Sequence, residues 1–108
     1  MITVRYSEQG KESHFSCVGH ADYSVGNDVV CAAVSALCGA LAVTLLKNEE
    51  SFDSLTVAEA DGETVILCKG QAEGYFSLVL NGLESIAASY PFNVRVLREE
   101  KPTEEGGC

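Results

Sequence analysis

Basic residues are scarce in this sequence: seven Lys and Arg stand against sixteen Asp and Glu, a formal net charge of −9. That balance argues against broad contact with nucleic acid or an anionic membrane surface and suits a basic protein or peptide partner. Paired cysteines are lacking too. Cys17, Cys31, Cys38, Cys68 and Cys108 are odd in number and contain no Cys-x-x-Cys, so neither a disulfide framework nor a zinc ribbon is indicated, and burial as small apolar side chains is their ordinary use. The chain enters the alternating strand Ile2-Thr3-Val4-Arg5-Tyr6 at once. This leaves no room for a basic n-region and an apolar signal core, which predicts a cytoplasmic protein. Gly19 and Gly26 form no phosphate-loop pattern, and no linker or low-complexity segment is visible. The length of 108 residues fits one domain with a real hydrophobic core.

What is present divides into short alternating segments and two helical ones. Ile2, Val4 and Tyr6 share a face of a first strand, and residues 7–12 read as a polar turn around Gly10. A second strand over residues 13–18 puts Phe15 and Cys17 on one face and His14, Ser16 and Val18 on the other, and Gly19 ends it. Asp28 is a good N-cap for a helix that carries no charge from Val29 to Leu46 before Lys47 adds a cation in its last turn. Such a run approaches the length of a membrane span. Its small side chains (Ala32, Ala33, Ser35, Ala36, Gly39, Ala40, Ala42), the missing aromatic belt and the amphipathic elements that follow favour a buried helix instead, with no membrane partner. Two covered faces in so small a domain predict the sheet on one side and a second subunit on the other, since small residues permit close helix approach.

Residues 48–53 form an acidic connector, Leu55 and Val57 alternate in a strand that runs to Glu59, and Asp61-Gly62 is a tight hairpin turn. The returning strand covers residues 63–69. From Glu73 the period changes, with Phe76, Val79, Leu80, Leu83, Ala87 and Tyr90 on one helical stripe that Pro91 stops. Val94 and Val96 mark a last strand, and residues 99–108 a flexible charged tail. The order ββαββαβ over residues 1–98 predicts an α+β domain of two layers: a mostly antiparallel five-stranded sheet with two helices on one face.

The chemistry gathers between the second strand and the first helix. With Asp28 as cap, Cys31 is the third helical residue, where unpaired N–H groups and the positive end of the helix dipole favour a thiolate. Asp28 opposes this, because a nearby carboxylate disfavours a second negative charge. A protonated His20, joined to the helix by a short loop, would resolve the conflict as a thiolate–imidazolium pair of the kind used in acyl transfer. Free helix N–H groups near Cys31 could hold an oxyanion, with the Asp28 side chain competing for one of them. Ser35 lies one turn deeper, placed either to hydrogen-bond near the thiol or imidazole or to back-bond to the Cys31 carbonyl. Spacing alone leaves Cys31 open between nucleophile, core packing and a redox partner of Cys17. His14-x-x-Cys17-x-x-His20 has metal-like spacing, but an offset of three in a strand puts the first two side chains on opposite faces, so no metal site is assigned.

Gly19-His20-Ala21, followed after a short loop by Gly26-Asn27-Asp28-Val29-Val30-Cys31-Ala32-Ala33-Val34-Ser35-Ala36-Leu37, resembles the two-part signature of the bacterial ribosomal-processing cysteine protease family, Prp. The element order resembles that family across residues 1–98. The resemblance implies His20 and Cys31 as a catalytic dyad, Gly19, Asp28 and Ser35 as supporting positions, and no cofactor. It also implies a loop of Ala21, Asp22, Tyr23, Ser24, Val25, Gly26 and Asn27 that closes over a peptide, with Gly26 as hinge. The implied activity removes a short N-terminal extension from the twenty-seventh large-subunit ribosomal protein, a basic substrate, and the implied assembly is a homodimer. Ser24 stands where glycine is frequent, Val29 where isoleucine is frequent, and the loop is slightly shorter than the common form. A reading from another class is a non-enzymatic ribosome-assembly or adaptor protein with an acidic binding face, in which Cys31 is structural.

Overall fold

β2 (Glu12–Gly19) is the central strand of the sheet, and the other elements take their places from it. The computed structural model describes residues 1–20 and 28–99. β1 (Ile2–Gln9) pairs with β2 through a turn in which Gly10 takes φ +62°, a conformation that favours glycine. The polar residues 7–9, expected in the turn, instead continue β1: Ser7 faces His14, Glu8 faces Ser13 and Gln9 faces Glu12. Backbone pairing sets this length, not side-chain hydrophobicity, and the Tyr6 hydroxyl donates to the Glu8 carboxylate as the strand leaves the core.

Residues 48–53, expected as a plain connector, contain the short 3₁₀ helix Glu49–Ser51. The second hairpin joins β3 (Ser54–Ala60) to β4 (Glu63–Lys69) through Asp61-Gly62, with Gly62 at φ +74°. β5 (Val94–Glu99) lies parallel to β1, and the strand order is β3-β4-β2-β1-β5, so every other pairing is antiparallel. The parallel pair follows from connectivity, because β5 is reached only after a helical crossover.

α1 (Val29–Lys47) and α2 (Glu73–Ser89) cover one face of this sheet. That face presents Ile2, Val4, Tyr6, Phe15, Cys17, Ile66, Cys68 and Val94. α1 meets it with Val30, Val34, Cys38, Leu41, Ala42 and Leu45, and α2 with Phe76, Val79, Leu80 and Leu83. Phe76 is fully buried, its ring centroid 5.2 Å from that of Tyr6 and 6.1 Å from that of Phe15. α1 is long and apolar enough to cross a membrane, yet its stripe of larger side chains is spent on this core. Among the described residues only one side of α1 is covered. On the other side Val29, Val43 and Leu46 are about half exposed (53, 51 and 48 %), alongside Ala32, Ala33, Ala36 and Ala40. β5 runs one residue past the expected domain end, and residues 100–108 of the expected tail lie outside the described residues.

Because Phe76 joins the helical layer to both hairpin strands, truncation to Ala should lower the unfolding free energy by about 3–5 kcal/mol. His14→Ala, on the open face of the sheet, should change it by less than ~0.5 kcal/mol. Urea denaturation of the two variants checks the difference.

Candidate active site

Two glycines fix where β2 ends. Gly19 has φ +111°, and a Cβ on it would collide with the Met1 carbonyl oxygen, so no other residue lets the end of β2 pass the start of β1. The Gly19 N–H donates to the Gly62 carbonyl at 2.8 Å, which ties the strand end to the β3–β4 turn. His20 follows immediately. Its carbonyl accepts from the Met1 amino group at 2.6 Å, and its exposed imidazole rests against the bare α-carbon of Gly62.

Cys31 comes from the opposite side. Asp28 is extended (φ −92°, ψ 93°), its carboxylate accepts from the Cys31 N–H at 2.9 Å, and its carbonyl accepts from the Ala32 N–H at 3.1 Å. This is the expected N-cap. It also resolves the competition for helix donors: the Cys31 N–H belongs to Asp28, which leaves Val29 and Val30 as the N–H groups with no partner inside the helix.

A cavity of about 340 Å³ is where these parts meet. Gly19, His20, Cys31 and Ser35 all line it, so the structure brings together four of the five residues singled out above. Asp28 does not line it and acts from the helix end. The seven loop residues, 21–27, lie outside the described residues. Among the described residues the Ser35 hydroxyl makes no hydrogen bond, so it faces the cavity instead of bonding back to the Cys31 carbonyl. No hydrogen bond joins Cys31 Sγ to the imidazole among the described residues, and such contacts commonly tighten only when substrate binds.

The cavity sorts the thiols. Cys17 and Cys38 line its floor, both buried and hydrogen-bonded sulfur to sulfur. As donor of that bond Cys38 is pushed far above the ordinary thiol range, with burial adding to the effect, so it stays protonated. In this reduced state the neighbour of Cys17 is Cys38. Burial pushes Cys68 up as well, away from the cavity. Cys31, half-buried at the cavity wall, is the thiol left open to chemistry among the described residues. His14 lies on the uncovered face beside Glu12 at 3.4 Å, so the metal-like spacing is split across the sheet, and no metal-binding group of His, Cys, Asp and Glu occurs among the described residues.

The far wall of the cavity was not foreseen. It is the β3–β4 turn, with Glu59, Asp61, Gly62 and Glu63. The turn itself is legible as Asp61-Gly62, but its position beside His20 depends on β4 pairing with β2, which no local pattern announces. The model of the cysteine protease Prp family matches residues 1–95. The chain belongs to the cysteine protease Prp family. Among solved structures, the essential ribosomal processing protease Prp from S. aureus, in complex with a covalently linked product peptide, has a TM-score of 0.76 at 22 % identity, covering 92 % of this chain and 100 % of that one. The same protease with a substrate peptide gives 0.68 at 22 % identity and the same coverage. SMU.848 from Streptococcus mutans gives 0.69 at 24 % identity, covering 94 % of this chain and 96 % of that one. At these identities the likeness is one of fold. No curated protein matches the chain.

In this member of the Prp family the Asp28 cap holds the start of the helix that presents Cys31. Asp28→Ala should lower stability by about 1 kcal/mol, and Asp28→Asn, which keeps an acceptor for the Cys31 N–H, should restore most of it. Thermal unfolding of both variants at neutral pH measures the effect.

Proposed function

We propose that the chain is an endopeptidase whose nucleophile is Cys31 and whose general base and acid is His20, acting on the N-terminal extension of the twenty-seventh large-subunit ribosomal protein. The observation that carries this reading is the composition of the cavity wall. Among the described side chains lining it, His20 is the one able to carry positive charge, and Cys31 is the one thiol neither buried nor tied to another sulfur. A base and a nucleophile from separate elements thus share one cavity at the start of a helix.

The imidazole takes the proton from Cys31 Sγ, and the thiolate attacks the scissile carbonyl carbon. The tetrahedral oxyanion is held by the Val29 and Val30 N–H groups, the donors that Asp28 leaves free, with the helix dipole behind them. The imidazolium then protonates the leaving amine, and water deprotonated by the same ring hydrolyses the thioester. Ser35, facing the cavity one turn deeper, would orient the ring or the water. The loop of residues 21–27 joins the base to the nucleophile in sequence.

Three further features support the substrate and assembly. The S. aureus relative is seen with a substrate peptide and with a covalently linked product peptide. Glu59, Asp61 and Glu63 on the cavity wall, with a net charge of −9 overall, suit a basic ribosomal segment. The uncovered apolar side of α1 suits a second copy of the chain, packed helix against helix.

Incubation with the extended ribosomal protein should give a single N-terminal cut. Cys31→Ala should abolish it, and His20→Ala should lower its rate by roughly 10²–10⁴-fold. Cleavage that survives Cys31→Ala rejects the assignment. A limiting dose of a thiol probe should label Cys31 well ahead of Cys38, and equal labelling of the two favours the adaptor reading.

A further inference from the structure

The geometry points to Gly62 as a positioning residue for the imidazole: the β3–β4 turn is a seat that His20 occupies only because Gly62 has no side chain. This rests on the proposed role of His20 and goes beyond it, since it assigns the ring's placement to an element distant in sequence from both His20 and Cys31.

Two observations meet at the turn. The Gly62 carbonyl accepts from the Gly19 N–H at 2.8 Å, which fixes the backbone just before His20 against the turn. A Cβ placed on Gly62 would lie 2.9 Å from His20 Nε2 and 3.2 Å from Cε1, closer than side chains tolerate. The ring therefore fills the space that a Cβ would take. Sheet order makes this possible: β4 pairs with β2 and β3 at once, so the turn before β4 is carried to the end of β2, where Val18 faces Glu63.

A side chain at Gly62 has one soft neighbour. The atoms it would meet belong to the far end of the His20 side chain, which turns about its own bonds more easily than the paired backbone shifts. A substitution should therefore displace the imidazole and leave the sheet in place. Backbone strain is a separate effect, because Gly62 has φ +74°. Gly10 supplies the control. It has φ +62° in the other hairpin turn, and nothing lies within 4 Å of the position of its Cβ, so Gly10→Ala carries the strain without the contact. Gly62→Asn supplies the converse, since Asn tolerates the left-handed region better than Ala while still carrying the Cβ.

The test compares Gly62→Ala, Gly62→Asn and Gly10→Ala by the ring carbon–proton NMR resonances of the two histidines and by cleavage of a peptide from the extended ribosomal protein. His14, on the opposite face of the sheet, is the internal reference. Both Gly62 variants should shift the His20 ring resonances, leave those of His14 in place, and lower kcat by roughly 10–100-fold with KM within about a factor of two, as expected for a misplaced catalytic group. Gly10→Ala should change neither ring nor kcat. If Gly62→Ala fails to fold, Gly62→Asn decides. His20 resonances that coincide with wild type in the folded Gly62 variants overturn the inference, as does a kcat loss in Gly10→Ala equal to that in Gly62→Asn. Wild-type protein that cleaves no peptide overturns the protease reading, and the seat is then decided by the ring resonances alone.

Discussion

β2 is paired on both sides, with β1 along one edge and β4 along the other, so the residue that follows it emerges between the first residues of the chain and the β3–β4 turn. Backbone from three segments crowds that point. Gly19 accommodates the Met1 carbonyl by having no Cβ, and its N–H is spent on Gly62, so the direction in which His20 leaves the sheet is determined before its side chain makes any contact. The Gly-His pair is therefore one structural device: the glycine lets the strand end among close neighbours, and the histidine inherits its position from that ending.

At the other wall the balance is electrostatic. A helix start attracts negative charge, and both Asp28 and an ionised Cys31 would draw on the same dipole. Asp28 has prior claim through its hydrogen bond to the Cys31 N–H. Two anions at one helix end repel, and that repulsion falls when a cation stands on the far side of the thiolate. Among the described residues no lysine or arginine side chain lines the cavity, whose other ionisable side chains are carboxylates and thiols, so the proposed counter-charge is an imidazolium at His20. The proposed pair is thus coupled in both directions, since proton transfer from Cys31 creates both of its charges at once.

Much of this could be read from residues in order. The β4 boundaries, the Asp61-Gly62 turn, the cap at Asp28, the apolar stripe of α2 and the two faces of β2 are local patterns, and local patterns survive folding when they agree with the packing. Residues 7–9 misled because polar composition resembles a turn, whereas the ladder to β2 needs only backbone groups. The Cys17–Cys38 contact and the β3–β4 wall were hidden for a different reason. Each joins segments that meet only through strand order, and alternation within a strand does not say which strand lies beside it. Gly62 is the clearest case: its turn type is local, and its contact with His20 is wholly a matter of topology.

The same limit explains α1, whose uncharged composition is ambiguous until its sides are separated. Val30, Val34, Leu41 and Leu45 are in the core, where an unpaired charge is not tolerated. Cys31, Ser35 and Cys38, spaced four and three residues apart, line the cavity, where a lysine would add a cation to compete with the proposed counter-charge at His20. Ala32, Ala33, Ala36, Ala40 and Val43 lie on the side proposed for a second subunit, where long charged side chains would hold the helices apart. Core, cavity and proposed interface each disfavour charge for a separate reason, and together they leave no side of the helix on which one would be neutral. A membrane-like run is what core and cavity leave on two sides of the helix, and the proposed interface would account for the third. On that proposal the geometry of the site and the assembly of the protein would be properties of the same helix.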